Sequence, residues 1–171
     1  MSKFTWTIDN FSKLNGEKQY SKTFDANGNK WRVLIFPKGN STDHLSVYLD
    51  VANSDILPED WEIPLSCRIF LVNQIHCNKS INKETMHTFN SHESDWGFTR
   101  FIPLNKLHNK SGGYIVNDTC VIEVEVYGYY TGPIDKDSDS SVAIDPVEPV
   151  YIQAQSLLDS LPKPPSLGFG V

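Results

Sequence analysis

The chain has 171 residues, a formal charge of −6, 39% hydrophobic and 12% aromatic content; this suits one domain with an appendage, since a unit of about 130 residues buries roughly two-thirds of its unfolded surface. Residues 1–131 hold 15 acidic and 13 basic side chains with no Lys/Arg cluster, which speaks against a nucleic-acid partner, whereas residues 132–171 hold 6 and 2. No apolar run approaches the roughly 20 residues of a membrane span and "MSKFTWTIDN" has no apolar signal segment, so the expectation is a soluble chain of the cytoplasm or nucleus with no membrane partner.

Period-two alternation dominates residues 1–131. "FTWTI" and "KQYSKTF" are the first strand candidates, and "DANGNK" follows as an Asn-Gly turn. "KWRVLIF" is apolar on both faces, through Trp31, Val33 and Ile35 on one and Leu34 and Phe36 on the other, and is expected to lie centrally. After the turn "FPKGNSTDH", "HLSVYLDV" sends Leu45, Val47, Leu49 and Val51 one way and His44, Ser46, Tyr48 and Asp50 the other. "ANSDILPEDW" and "PLNKL" each have room for a single helical turn. "CRIFLVNQI", the segment "SHESDWGFTRF" and "TCVIEVEVYGYY" complete the strands, with "NKSGGY" read as a hairpin turn before the last. Short strands punctuated in this way predict an all-β fold, an antiparallel β-sandwich of seven to eight strands. Residues 1–131 form that domain. Residues 132–171 are an acidic, Pro/Ser-rich linker and tail, in which "PVYIQAQSLLDSL" has the apolar content for one short helix.

Catalytic constellations are missing. Cys67, Cys77 and Cys120 make neither an even set nor a CxxC pair, and they read as reduced packing thiols. His76 beside Cys77 on a strand would point to the opposite face and leave the thiol unactivated. "DKDSDSSVAIDP" begins like a calcium loop but has Ser140 at the glycine position and Pro146 at the glutamate position. The expectation is no enzyme, no metal and no cofactor.

Aromatic residues carry the remaining signal. Tyr48 projects outward if the aliphatic residues of its strand fill the core, and an outward tyrosine is an amphipathic platform. In "DWGFTRF", Trp96 and Phe98 share a face, and Gly97 between them has no side chain to bar another backbone. A groove of Tyr48, Trp96, Gly97 and Phe98 requires the two strands to be neighbours; core filling by Phe98 and Phe101 is the competing reading.

"KWRVLIFPKGN", "HLSVYLDVANS" and "ESDWGFTRFIPL", followed by "GYIVNDTCVIEVEV" and preceded by "FTWTIDNFSKL", resemble the MATH domain, also called the TRAF homology domain, over about residues 3 to 130. The likeness is to the MATH domains at the front of plant ubiquitin-specific proteases and in plant MATH-domain proteins. That resemblance implies an eight-stranded sandwich binding a short extended peptide along the Asp-Trp-Gly-Phe strand. By it, Asp95, Trp96 and Gly97 contact peptide backbone and small side chains, and Phe98 with Tyr48 walls an apolar pocket. Lys38 stands where a relative carries a peptide-binding arginine, "KETMHTFN" forms the far wall, and Cys67 and Thr88 occupy positions that are aromatic in one subgroup. The implied role is protein–protein interaction through short linear motifs, as substrate recognition or adaptor in ubiquitin-linked regulation, with ubiquitin ligase or deubiquitinase components as partners. The alternative is a self-associating scaffold, a homo-oligomer whose aromatic groove is filled by another copy or by its own tail.

Overall fold

The computed structural model describes residues 1–128. The tail expected from Gly132 onward, with its linker, short helix and calcium-loop-like run, lies outside the described residues.

Ten strands follow one another among the described residues: β1 (Ser2–Ile8), β2 (Gln19–Tyr20), β3 (Phe24–Ala26), β4 (Asn29–Phe36), β5 (His44–Val51), β6 (Glu62–Leu71), β7 (Ile81–Asn90), β8 (Asp95–Pro103), β9 (Ile115–Val116) and β10 (Thr119–Tyr127). All pairs are antiparallel. One sheet runs β1-β10-β6-β7 with β9 on β10, and the other runs β2-β4-β5-β8 with β3 on β4. The all-β antiparallel sandwich is therefore as expected. Its strand number exceeds seven to eight because β2, β3 and β9 are pieces of only two or three residues. Among the described residues one short α-helix, α1 (Leu104–Leu107), falls in "PLNKL", and a 3-10 turn at Ser54–Ile56 falls in "ANSDILPEDW".

The inner faces supply the core by strict alternation. Leu45, Val47, Leu49 and Val51 of β5 meet Leu65, Cys67, Ile69 and Leu71 of β6 and Cys120, Ile122, Val124 and Val126 of β10, all essentially inaccessible. Trp31 of β4 packs edge to face with Phe89 of β7, ring centroids 5.0 Å apart, and its indole N–H donates to the Ala26 carbonyl at 3.0 Å. As expected, β4 is a central strand, and its outward Leu34 is also buried.

Four local readings change. "KQYSKTF" is two strands, because Ser21 takes over the ladder: its N–H donates to the Val33 carbonyl and its hydroxyl accepts from the Val33 N–H, each at 2.9 Å. β7 has no apolar alternation to announce it, since its inward positions are Ile81, Lys83, Thr85, His87 and Phe89. Cys77 opens a 3-10 turn with His76 as its cap, so the pair is not on a strand. "NKSGGY" connects α1 to β9, and the hairpin into β10 is made by Asn117 and Asp118, both with positive φ.

Asp118 also clamps the chain's beginning. Its carboxylate accepts from the Ser12 N–H at 2.8 Å and the Ser12 hydroxyl at 2.7 Å, and these bonds hold its pKa below the ordinary carboxylate value. A depressed carboxylate stabilises the fold above the unfolded-state pKa and stops doing so as pH falls through the folded one. Asp118→Asn, which keeps the left-handed backbone, should melt lower than wild type at pH 7. The gap between the two melting temperatures should close below about pH 4.

Candidate functional site

β8 is the outermost strand of its sheet, and its pairing with β5 decides where every ring of "DWGFTRF" goes. Leu49 pairs with Trp96, Tyr48 with Gly97 and Val47 with Phe98. Directly opposed residues share a face. Trp96 and Phe98 therefore stand on the inner side with Val47 and Leu49, while Tyr48 stands on the outer side above Gly97.

The indole of Trp96 does not enter the core. It lies flat on the His87 imidazole of β7, centroids 3.9 Å apart and planes within 3°, and its N–H donates to the Thr85 hydroxyl at 3.2 Å. It thus bridges the two sheets at their open seam, with 38% of its surface exposed. Tyr48 is fixed on the other face by its hydroxyl, 2.9 Å from Thr99 Oγ1 and 3.3 Å from Asn40 Nδ2, and its ring packs edge to face with Phe36.

An open trough of about 440 Å³ follows the β8 edge between these rings, lined by Tyr48, Trp96, Gly97 and Thr99 and by His92, Glu93, Ser94 and Asp95. The Val51 N–H donates to the Ser94 carbonyl at 2.9 Å, which places Trp96 and Phe98 in the hydrogen-bonded pairs and Asp95 and Gly97 in the alternating, non-hydrogen-bonded ones. The N–H and C=O groups of Asp95 and Gly97 are therefore directed away from β5, toward the free edge.

Gly97 is needed by the sheet itself. A Cβ there would lie 2.3 Å from the Val47 carbonyl oxygen and 2.6 Å from the Tyr48 Cα. The close backbone is that of β5. Just beyond, three residues of β8, Thr99 to Phe101, stand against Ser46 alone. The Ser46 hydroxyl fills this bulge, donating to the Thr99 carbonyl at 2.6 Å and accepting from the Asn40 N–H at 3.0 Å.

The expected site residues divide accordingly. Tyr48, Asp95, Trp96 and Gly97 line one trough. Phe98 does not share a wall with Tyr48: the register places it on the opposite face, against Phe101 and under the Lys83 ammonium, 5.4 Å from its centroid. Cys67 lies in the core at 1% exposure, because its parity on β6 points inward. Thr88 faces out of its sheet, and its neighbour His87 takes the place against Trp96. Lys38 is exposed in the turn after β4, where it would lie 3.7 Å from a Cβ on Gly16, and does not line the trough. His87 falls within "KETMHTFN", the segment expected as the far wall, though it was not singled out there; its ring nitrogen Nε2 is buried without a hydrogen bond, 3.6 Å from Glu93.

Among the described residues no group of three or more His, Cys, Asp or Glu is placed to hold a metal ion, and no helix is long and apolar enough to cross a membrane. Burial pushes the Cys67 and Cys120 thiols up to about 12, while Cys77 is exposed. Iodoacetamide at pH 8 should therefore alkylate Cys77 alone in the native protein, as peptide mass mapping would show.

Among the described residues this is an antiparallel sandwich whose edge strand β8 is unpaired on one side and flanked by rings. The MATH domain family model matches residues 3–126, and the chain belongs to that family. Ubiquitin C-terminal hydrolase 12 and ubiquitin C-terminal hydrolase 13 of Arabidopsis thaliana are each 55% identical over 124 residues, covering 72% of this chain and 11% of those proteins. A MATH domain and coiled-coil domain-containing protein of the same plant is 47% identical over 126 residues, which is 72% of this chain and 42% of the relative. The chain thus spans only a part of each. Among solved structures, TRAF5 of Notothenia coriiceps shares the fold with a TM-score of 0.58 at 20% identity, over 78% of this chain and 77% of that one.

Proposed function

We propose that this domain, taken as residues 1–131, binds a short extended segment of a partner protein by strand addition to the free edge of β8. Support comes chiefly from one observation: the main-chain groups of Asp95 and Gly97 are directed away from β5 at a trough lined by both residues together with Tyr48 and Trp96. Main-chain hydrogen bonds give generic affinity and the rings select side chains. Five added residues span only about 17 Å, so the interface is small and single-site affinity modest. The name carried by the two ubiquitin C-terminal hydrolases supports a recognition or adaptor role in ubiquitin-linked regulation.

Heptapeptides selected from a random displayed library on the full chain provide the probe. Amide hydrogen exchange should slow at Asp95 and Gly97 when such a peptide binds and stay unchanged at Trp96 and Phe98, whose amides already face β5. Protection confined to the β1-β10-β6-β7 sheet would overturn the assignment.

A further inference from the structure

The outer face of the β8 sheet carries a cross-strand row of Arg32, Asp50 and Asp95 that ends, among the described residues, on a carboxylate without an ion pair. Arg32 pairs with Asp50, and Asp50 with Asp95, in register. The Arg32 guanidinium is already committed: it donates to the Asp50 carboxylate and lies 4.0 Å from the centroid of the Tyr20 ring. Asp50 is buried, and its carboxyl is pushed up by desolvation, with Arg32 acting against the shift and Asp95 adding to it. Asp95 stands directly opposite, in the kind of pair where side chains come closest, and like charges so placed repel.

Among the described residues Asp95 forms no ion pair within 4.0 Å; Lys18, whose ammonium sits 5.6 Å from the Tyr20 ring centroid, acts on both Asp95 and Asp50 and offsets only part of their repulsion. The trough adds a second carboxylate, Glu93, 3.6 Å from the His87 Nε2, and its lining includes no lysine or arginine.

The edge geometry says where a directly paired cation would come from. A strand added to β8 places the residues opposite Asp95 and Gly97 on the same outer face, two positions apart. Above Gly97 there is no side chain, only the flank of the Tyr48 ring, held by Thr99 and Asn40. We propose that the partner segment carries lysine or arginine opposite Asp95, two residues from an apolar side chain seated over Gly97 against Tyr48. The spacing is the same whichever way the segment runs. The inference rests on strand addition to β8, and it disfavours acidic or phosphorylated residues at that position, which would meet Asp95, Asp50 and Glu93 together.

The test uses the full chain and its Asp95→Lys variant, each panned with the same random heptapeptide library. Wild type should enrich a basic residue at two positions from an apolar one, and changing that basic residue to alanine should weaken binding about two- to five-fold at low salt, an effect that 0.5 M NaCl removes. Asp95→Lys should enrich acidic residues there instead. A wild-type consensus with neutral or acidic residues at that spacing overturns the charge inference and leaves strand addition standing. Failure of the library to yield any consensus, with no exchange protection on β8, overturns strand addition itself and this inference with it.

Discussion

Trp96→Ala is expected to lower the affinity for any selected extended peptide by about 30-fold or more, in the range of a hot-spot truncation of about 2 kcal/mol or above. The indole forms one wall of the trough and is held there by two contacts that alanine cannot make, the flat stack on His87 and the hydrogen bond to Thr85. Its loss also opens the seam between the sheets. Because more than a third of the Trp96 surface is solvent-exposed, the cost to folding should stay near 1–2 kcal/mol, well under that of a fully buried aromatic. Trp96→Phe separates the two effects: it keeps a stacking face on His87 but lacks the N–H, so it should recover most of the stability. Isothermal titration against a selected peptide, with urea denaturation of the same samples, measures both quantities. Affinity that survives Trp96→Ala would remove the indole from the site.

What the sequence made legible follows from how far each property depends on local periodicity. Alternation in "HLSVYLDV" and "TCVIEVEVYGYY" assigned every inward residue of β5 and β10 correctly, because a strand buried on one face has no other stable parity. β7 escaped that logic, since the residues it turns toward the seam are Lys83, Thr85 and His87, whose value lies in contacts made to a different sheet. The pairing of Tyr48 with Gly97 and of Val47 with Phe98 is a register, set by the bulge opposite Ser46, and one residue of register decides which face a ring occupies. For that reason Tyr48 and Trp96 could be named from the sequence as groove residues, while Phe98 was joined to the wrong wall and Thr88 stood in for His87. Cys67 was placed at the groove by family position, although the parity of "CRIFLVNQI" already sends it inward with Ile69 and Leu71.

Gly97→Ala tests the tightest contact at the site and should destabilise the fold by about 3 kcal/mol, the upper end of what overpacking usually costs. From the sequence, the glycine could be read as room left for foreign backbone. The structure gives that room to β5: the methyl would press on the Val47 carbonyl oxygen at 2.3 Å and the Tyr48 Cα at 2.6 Å, and neither atom belongs to a side chain that could rotate away. Relief requires the strands to part, and the hydrogen-bonded pairs of Val47 with Phe98 and Leu49 with Trp96 lie on either side of the clash. For a domain of this size the melting temperature should drop by about 10 °C. Gly28→Ala is the matched control, with φ +74° but open space around the new methyl, so it carries only the strain of a left-handed alanine, about 1 kcal/mol. Equal losses for the two variants would mean that backbone conformation, and not the approach of β5 to β8, sets the need for glycine. A larger loss at Gly97, together with weakened peptide binding in the folded fraction, ties the spacing of these two strands to the shape of the trough.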